Sequence, residues 1–555
     1  LILNLNTHVL GGAKLDNFEY LWKMWWVPHA IFERGISPFF HPDIYVPFGY
    51  PLAYGEITPV HTFGMIPFTL LFGEIISYNL SALASFILTG WAMYALARRW
   101  LARLTPSSPA RVKGEPNEES VWSDSRLLFL AAFFAGAALA FCAYRMQKLT
   151  GHVPMSDTQW LVLTLLFFDW WLERRELRDA AFTGLFFSLS ALSSWYYPFM
   201  LILLLPVYAL FRVESIRQLL TDRRSYIALG VAAIITAVLC VPFLIPYLQL
   251  NTEGATYVPL EEAAFWSASP TDYVMPNPLH PLWGNTVQKV MWPFPSPMMT
   301  EFVISIGWIT IVLTLFAWRE TKGKNWRALK ALVVTAFILS LGPILYLSRL
   351  PLNVPMPAYI VREIMPFADS LRSWGRFSIF VMLGCSLLAG AGLILGLGTL
   401  TPRIRYSGAV IALVLVLFAA WIGPFPQTRV EPRPVDLWLA EQPDNAPIME
   451  YPIPEALSGP AMLYTRYHQK PVVFGYGTYL PLLYRQRHPD LYTFPDDAAL
   501  DQLEQWGVHY VLITVPALSY DQSFTMDEVD TQPRLRHVTS LGDVVVYELL
   551  PDPEN

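Results

Sequence analysis

The sequence predicts a polytopic α-helical membrane protein that ends in a small α/β domain. Hydrophobic residues make up 54% of its 555 residues and charged residues 15%, whereas a soluble globular chain carries about 25% charge. Aromatic residues reach 15%, and aromatics that punctuate apolar stretches are typical of the interfacial belts of membrane proteins. This composition excludes an intrinsically disordered chain. The formal charge of −6 shows no basic footprint for a nucleic-acid partner.

Ten stretches have the apolar character of membrane spans, which need about 20 mostly apolar residues. They cover residues 75–97, 127–144, 157–172, 180–194, 196–212, 226–248, 302–318, 328–347, 377–398 and 406–424. Residues 57–73 are also apolar, but they contain two prolines and one histidine and run directly into the first span. We predict that they form an interfacial or re-entrant helix instead of a crossing.

The distribution of Lys and Arg predicts the orientation of these spans. Alternate loops, all of them short, hold 20 of the 38 Lys and Arg residues, and the positive-inside rule places such loops in the cytoplasm. The chain opens outside the cytoplasm on this scheme, so we expect one further span before Leu1 and eleven in all. It opens without a basic n-region or a cleavage site, so no signal peptide is expected. The predicted location is the cell inner (cytoplasmic) membrane.

Three regions follow from this topology. Residues 1–74 form the first extracytoplasmic loop, 75–424 the transmembrane domain and 425–555 an extracytoplasmic α/β domain. In the last region the pattern predicts helices at VDLWLAEQ, AALDQLEQWG and around PLLYRQRH. It predicts strands at APIMEYPI, PVVFGYG, VHYVLIT and DVVVYELL.

Ionisable residues are nearly absent from the middles of the spans and collect in the predicted extracytoplasmic loops. In the first loop, Asp16 begins a helix with an aromatic face, which would hold its carboxylate near the lipid head groups; a simple N-cap is the alternative. Asp43, in HPDIYVPFG, is a second candidate acid or a turn-forming residue. The candidates for lining a substrate site are Glu19, Trp22, Glu56, His61, Tyr273 and His280.

Cationic residues mark two of the later loops. Arg145, Lys148 and His152 follow one another at the outer end of a span and form a candidate phosphate site; interfacial snorkelling of the long side chains is the alternative. Arg372 and Arg376 add positive charge to a predicted extracytoplasmic loop, against the positive-inside bias, unless they pair with nearby acids. Because the three cysteines form no CxxC pair and no HExxH motif occurs, no metal site is predicted.

In the order of its features, the chain resembles bacterial membrane glycosyltransferases of the GT-C superfamily, which use polyprenyl-phosphate-linked sugars. The resemblance covers nearly the whole chain. It rests on the acid in LDNFEYLWKMWW, the ISPFFHPDIYVPFGYPL segment, RMQKLTGH, SASPTDYVMPNPLHPLWG in a long loop, and SLRSWGRF before a late span. Many relatives have Gly-Asp where this chain has Leu15 and Asp16, so the acid is kept and the residue before it differs.

The resemblance implies an inverting transferase that moves a sugar from a polyprenyl-phosphate donor to an extracytoplasmic glycan, lipid or protein acceptor. Asp16 would be the general base, a role that contributes about 10²–10⁴-fold to a rate. The leaving lipid phosphate needs charge stabilisation, for which Arg145, Lys148 and His152 are suited. Arg372 and Arg376 would clamp the same phosphate or the acceptor. No cofactor is required, and Mg²⁺ or Mn²⁺ is expected only if the donor is a pyrophosphate.

Two other functions stay open at this point. A non-catalytic GT-C-like scaffold, or an accessory subunit of a membrane assembly, would leave Asp16 in a salt bridge or as a helix cap. A transporter of lipid-linked sugars would need a polar path through the spans, and the sequence shows none.

Overall fold

The computed structural model of the chain describes residues 4–12, 15–104, 118–252, 257–291, 301–453, 455–519 and 524–552. The first segment is a compact layer of short elements ahead of the long helices. Its longest helix continues into a π-helical turn, His29–Arg34, that ends at Gly35 in the left-handed conformation glycine favours (φ 64°). The elements are β1 (His8–Leu10), α1 (Leu15–Pro28), β2 (Phe40–His41), β3 (Tyr50–Pro51), α2 (Pro59–Thr62) and α3 (Ile66–Phe72).

Long apolar helices form the middle of the chain. They and the shorter helices between them are α4 (Glu74–Leu101), α5 (Glu118–Ala140), α6 (Ala143–Lys148), α7 (Gln159–Arg174), α8 (Leu177–Ser193), α9 (Tyr196–Arg212), α10 (Ile216–Thr221), α11 (Arg223–Thr252), α12 (Leu260–Phe265), α13 (Pro270–Val274), α14 (Gly284–Met291), α15 (Trp308–Glu320), α16 (Lys324–Ser340), α17 (Pro357–Ile364), α18 (Ser378–Leu397) and α19 (Pro402–Ala420). Each of the ten predicted spans overlaps one of these helices.

Five stretches are long and apolar enough to cross a membrane, judged by length and composition within the described residues. They are Glu74–Leu101, Ser125–Lys148, Arg223–Leu250, Trp374–Leu397 and Pro402–Ala420. The expectation of a polytopic α-helical membrane protein is confirmed at this level, and the count of ten crossings stays a prediction. Residues 57–73, predicted as one re-entrant or interfacial helix, form the two short helices α2 and α3.

Two predicted spans extend well beyond their helices at one end. The seventh was predicted from residue 302, but α15 begins at Trp308. The pattern extended the eighth span to residue 347, but α16 ends at Ser340. Gly342 (φ 70°) and Pro343 follow, and neither residue continues a helix readily. The chain then forms a hairpin of β4 (Ile344–Leu347) and β5 (Leu350–Pro355), with Leu347 paired to Leu350. Apolar composition alone therefore did not distinguish the last residues of a span from a hairpin.

Helix α18 is the centre of the helical core. Its residues from Ser378 to Ile394 are all buried, as expected for a helix that is apolar on every side. It packs on α5, α15 and α16. At Gly392 a Cβ atom would lie 2.4 Å from the backbone oxygen of Leu313, so glycine at this position permits the close approach of α15.

The C-terminal region contains a four-stranded sheet and several short helices. The elements are β6 (Gln427–Arg429), α20 (Pro434–Glu441), β7 (Ile448–Tyr451), α21 (Glu455–His468), α22 (Leu482–Arg487), α23 (Asp497–Gln505), β8 (Tyr510–Thr514), α24 (Met526–Thr531), β9 (Leu535–Leu541) and β10 (Val544–Leu549). The strand order is β7-β8-β10-β9, in which β7 and β8 are parallel and the other pairs antiparallel. Three of the four predicted strands and all three predicted helices correspond to elements here. PVVFGYG forms only isolated bridges through Val472, while β9, α21 and α24 were not predicted.

This C-terminal region and the first segment share one hydrophobic core. Strand β1 pairs with β6, and α1 packs on α21. The Val472 amide donates a 2.9 Å hydrogen bond to the backbone oxygen of Asp43. The two ends of the chain are therefore held together, and residues more than 400 positions apart in sequence meet beside α1.

Candidate functional site

The Asp16 carboxylate is the centre of the candidate site. It lies in the first turn of α1, with 26% of its side chain exposed. Nε2 of His152 lies 2.8 Å from its Oδ2, and the Tyr476 hydroxyl donates a 2.6 Å hydrogen bond to its Oδ1. Three distant parts of the chain thus meet at one carboxylate, and both of its oxygens are bonded to side chains outside α1.

The charge of Asp16 follows from these contacts. Burial acts to raise the pKa of this carboxyl, but His152, the Tyr476 hydroxyl and Arg372 together outweigh burial and hold the pKa well below its ordinary value. Asp16 is therefore a carboxylate at neutral pH. Each carboxylate oxygen has two lone pairs, so His152 and Tyr476 leave acceptor capacity on the exposed part of the group.

A second carboxylate organises the cationic side chains nearby. Glu301 is buried, and its Oε1 lies 2.6 Å from Nζ of Lys148 and 2.8 Å from Nη2 of Arg376. The Arg376 guanidinium also lies over the Tyr196 ring, 4.2 Å from its centre. Burial raises the pKa of Glu301, but Arg376 and Lys148 lower it well below its usual range. Lys148 and Arg376 are thus anchored by an acid that sequence analysis did not select.

Arg372 connects the two carboxylate clusters electrostatically. Its guanidinium lies over the Trp266 ring, 5.5 Å from the centre, and it is only partly buried. It lowers the pKa of the Asp16 carboxyl, as His152 does for Glu301. The carboxylates of Asp16 and Glu301 therefore interact electrostatically with three cationic side chains, which are Arg372, Arg376 and Lys148. An anionic group that entered beside Asp16 would meet net positive charge.

The three cations predicted from RMQKLTGH have different partners. Lys148 pairs with Glu301 and His152 with Asp16, whereas Arg145 is completely buried. The Arg145 guanidinium donates to the backbone oxygens of Ala140 and Ser156 and to the Ser85 hydroxyl. Arg145 thus ties together the chain around the break between α5 and α6, and its predicted contact with a phosphate stays a prediction.

Glu19 and Glu56 belong to a buried network one turn along α1. The Lys23 ammonium donates to Oε1 of Glu19 at 2.6 Å and to the backbone oxygen of Glu56 at 2.8 Å. The Ser194 hydroxyl donates to the Glu56 carboxylate at 2.6 Å. Burial raises the pKa of Glu19 to about 7 although Lys23 opposes the shift. This network joins α1 to Glu56 and, through Glu56, to the connection between α8 and α9.

The remaining candidates have partners elsewhere. Asp43 pairs with Arg34 at 2.5 Å. Trp22 is fully buried and stacks on Trp26 and His41, so the predicted aromatic face of α1 is part of the protein core. Nε2 of His61 lies 3.4 Å from the carboxylate of the buried Asp157. The Tyr273 hydroxyl lies 2.5 Å from the Ser340 hydroxyl. His280 stacks on Trp283, and its Nε2 lies 3.1 Å from the backbone oxygen of Phe418.

Two residues of the site were missed by sequence reasoning. Glu301 had a usable signal, because it is a single acid at the start of an apolar stretch in a predicted extracytoplasmic loop. Tyr476 had none, because it lies 460 positions from Asp16 in a segment predicted as a strand. Within the described ranges, no group of three or more His, Cys, Asp or Glu side chains is arranged to hold a metal ion; the predicted lack of a cofactor requirement remains a prediction.

Comparison with known proteins shows similarity in three dimensions. No family model matches the chain, and no curated protein matches its sequence. Two cryo-EM structures of the arabinofuranosyltransferase AftD from Mycobacteria do match, one of them of a mutant. The first has a TM-score of 0.60 at 14% identity over 99% of this chain, and the mutant a TM-score of 0.57 at 13% identity over 98%.

The chain spans about two fifths of the AftD structures, 39% and 40% of their lengths. A crystal structure of the Archaeoglobus fulgidus oligosaccharyltransferase, tethered with an acceptor peptide, also matches, with a TM-score of 0.46 at 12% identity over 99% of this chain and 72% of that one; at this TM-score it carries no argument. The AftD matches show that the chain shares the fold of this arabinofuranosyltransferase over nearly its whole length.

Proposed function

We propose that the protein is an inverting glycosyltransferase that moves a sugar from a polyprenyl-phosphate carrier to an acceptor outside the cytoplasm. The observation that carries the proposal is the partly exposed Asp16 carboxylate, bonded to His152 and Tyr476, beside the cationic group of Arg372, Arg376 and Lys148. The AftD fold supports a transferase of this general kind. The reason to propose a catalytic role is the arrangement of side chains around Asp16, and not the fold.

In the proposed reaction, the acceptor hydroxyl attacks the anomeric carbon of the sugar. The new bond joins the acceptor oxygen to that carbon, the bond between the carbon and the phosphate oxygen breaks, and its electron pair leaves with the lipid phosphate. The Asp16 carboxylate accepts the hydroxyl proton. Because its low pKa makes Asp16 a weak base, it accepts the proton late, after the hydroxyl has become acidic by bonding to the oxocarbenium-like carbon.

The cationic side chains have a separate task in this scheme. The leaving phosphate gains negative charge in the transition state, and fixed cations in a site with little water stabilise it best. Arg372 is partly exposed and interacts electrostatically with Asp16, so it is the proposed direct phosphate contact. Lys148 and Arg376 are held by Glu301 and would stabilise the phosphate charge electrostatically without contacting it. On this assignment Arg145 maintains the fold of the α5–α6 break.

A non-catalytic scaffold is the second candidate, and one observation favours it. Both oxygens of Asp16 already have hydrogen-bonding partners, as expected for a carboxylate that only holds segments together. The two functions differ in a measurable way. A scaffold needs neither a lipid-linked donor nor a carboxylate at position 16 that can accept a proton.

The test is sugar transfer by the purified full chain in lipid nanodiscs. The first donor to try is polyprenyl-phosphate-linked arabinose, because AftD transfers an arabinofuranosyl group; other polyprenyl-phosphate sugars follow, with oligosaccharide acceptors. Asp16→Asn should lower the transfer rate about 10²–10⁴-fold while donor binding persists. Asp43→Asn, assayed in parallel, tests the second predicted acid.

Glu33→Gln is the matched control, because Glu33 lies in the same segment with its side chain 68% exposed; it should transfer at the wild-type rate. A rate for Asp16→Asn equal to that of Glu33→Gln would exclude the general-base role. A wild-type chain that neither binds any polyprenyl-phosphate donor, by native mass spectrometry, nor transfers a sugar would instead support the scaffold.

A further inference from the structure

The hairpin of β4 and β5, together with α17, presents an apolar surface that no part of the described chain covers. Strand β5 is exposed along its whole length. Successive side chains of a strand point to opposite faces, and on one face of β5 they are all apolar. The exposed apolar side chains are Leu347, Leu350, Leu352 and Val354 of the hairpin, Tyr359, Ile360 and Ile364 of α17, and Phe367. We call this set the hairpin surface.

The hairpin part of this surface carries almost no charge, and α17 adds one exposed acid, Glu363. Between residues 341 and 361 the only charged residue is Arg349. Its guanidinium turns inward, where it pairs with the buried Asp272 carboxylate, donates to the Ser267 oxygen and lies over the Phe302 ring. On a surface that faces water, the Arg349 guanidinium would be expected to point into the solvent. The inward pairing leaves the exposed face of the hairpin uncharged.

The hairpin is held rigidly. Its two turn residues, Ser348 and Arg349, both have positive φ (47° and 69°), as in a type I′ turn, which more often contains Asn and Gly. The Ser348 amide donates to the Ser269 hydroxyl at 3.0 Å, and Arg349 pairs with Asp272 next to it. These contacts fasten the turn to the start of α13. The apolar residues are therefore displayed by a fixed support.

Helix α15, which contacts α13 beside the hairpin, also has an apolar exposed side. The Trp308 indole, at the start of α15, donates a 2.8 Å hydrogen bond to the Val274 oxygen at the end of α13. Trp308 is exposed, as are Val312, Leu315 and Phe316 further along α15. An exposed Trp at a helix end, above apolar side chains, is typical of the level at which a membrane meets water.

We propose that the hairpin surface is inserted into the membrane at its interface with water, so that its partner is lipid. Exposed apolar area that lies beside the apolar side of α15, has no outward charge on the hairpin and is bordered by Trp308 and Tyr359 fits the boundary between acyl chains and head groups. The inference needs no catalytic activity and is independent of the proposed function. It places the membrane surface beside α12, whose neighbour Trp266 contacts Arg372.

Spin labels on the full chain in nanodiscs of phosphatidylethanolamine and phosphatidylglycerol test this placement. Single labels go on Leu352→Cys and Ile360→Cys, with Val538→Cys on exposed β9 as the control. The native cysteines Cys142, Cys240 and Cys385 are buried, and wild-type protein treated with the label gives the background. Accessibility to oxygen, which partitions into lipid, is divided by accessibility to a polar nickel chelate.

The ratio should be several-fold higher at Leu352→Cys and Ile360→Cys than at Val538→Cys. A ratio equal to that of Val538→Cys would place the surface in water and overturn the proposal. Protection of both sites from both reagents would also overturn it, because a second protein surface would then be the occupant.

A matched pair of variants sharpens the result. In the Ile360→Cys protein, Leu350→Glu should lower the ratio toward that of Val538→Cys, because a carboxylate resists insertion at this depth. Leu350→Met keeps the surface apolar and should leave the ratio unchanged. Equal ratios for the two variants would mean that Leu350 does not lie in the membrane, and would overturn the proposal for the hairpin.

Discussion

Two carboxylates with cationic neighbours illustrate how similar residues can have different tasks in this protein. Asp169 is completely buried between α4, α7 and α9. Its Oδ1 accepts hydrogen bonds from the Tyr208 hydroxyl and from Nε of Arg212, and its Oδ2 accepts from Arg99. Every partner comes from a neighbouring helix, so this cluster joins three helices.

Asp16 differs in exposure and in the nature of its partners. A quarter of its side chain is exposed, and its contacts are one histidine and one tyrosine. The nearby guanidinium groups interact with it through space or are held by Glu301. A buried acid whose acceptor sites face two guanidinium groups can only hold structure, whereas one with spare acceptor capacity beside net positive charge can bind and react. The environment, and not the residue type, separates the two.

The largest effect on stability is expected at Asp169. Asp169→Asn leaves Arg99 and Arg212 with the more exposed Glu173 as their remaining acidic partner. It should lower the free energy of unfolding by about 3 kcal/mol, since removing one partner of a buried ion pair is strongly destabilising. Thermal unfolding in detergent measures this. Sugar transfer per folded molecule should be unchanged, and Asp16→Asn should show the reverse pattern.

The exposed pair of Glu214 and Lys324 provides a control for this effect. Glu214→Gln should leave the thermal midpoint where it is in the wild type, because exposed pairs contribute little. An equal loss of stability in Glu214→Gln and Asp169→Asn would mean that charge in general, and not the buried cluster, supports the fold.

Tyr476→Phe should have a smaller effect, on the reaction alone. Loss of the hydroxyl that donates to Asp16 should slow transfer roughly tenfold, equivalent to about 1.4 kcal/mol. The sign of the pH effect follows from the contact. The hydroxyl lowers the pKa of Asp16, so its removal raises that pKa, and activity that needs the carboxylate is then lost at a higher pH as the solution is acidified.

The pH profile of transfer checks this prediction. Tyr464→Phe is a suitable comparison, because Tyr464 is a tyrosine of the same region that lies beside Arg433. If the acid limb of Tyr476→Phe coincides with those of the wild type and Tyr464→Phe, the hydroxyl does not act on Asp16.

The last expected effect, at Glu19, appears only in the pH dependence of stability. Its pKa is raised by burial from 4.5 to about 7, so the folded state binds a proton more tightly than the unfolded state. The stability that this proton contributes is fully present below pH 4.5 and is lost as the pH rises toward 7, with a slope below the limit of about 1.4 kcal/mol per pH unit for one proton. Glu19→Gln should flatten the pH dependence of the thermal midpoint between pH 4.5 and 7. An unchanged slope would show that Glu19 and Lys23 remain fully charged on folding.

Much of the architecture could be read from local patterns in the chain. Runs of apolar residues predicted where the long helices lie, because a helix that faces lipid or a helical core must be apolar over many consecutive residues. Alternation of apolar and polar residues predicted β7, β8 and β10 in the same way. Asp16 and His152 were selected because charged groups are rare in so apolar a chain. Each of these inferences uses residues that are neighbours in sequence.

What failed depended on contacts between distant segments. Composition could not show that α16 ends at Ser340, that Trp22 is fully buried, or that Arg145 bonds to Ala140, Ser156 and Ser85. It also could not pair Glu301 with Lys148 and Arg376, or bring Tyr476 to Asp16. These partners lie between 75 and 460 positions apart. Tyr476 reaches Asp16 because the two ends of the chain pack into one core, whereas Glu301 meets Lys148 and Arg376 where segments from the middle of the chain pack together. Hydrophobic pattern is a property of each segment, whereas the partners of a charged group are decided by how the segments pack.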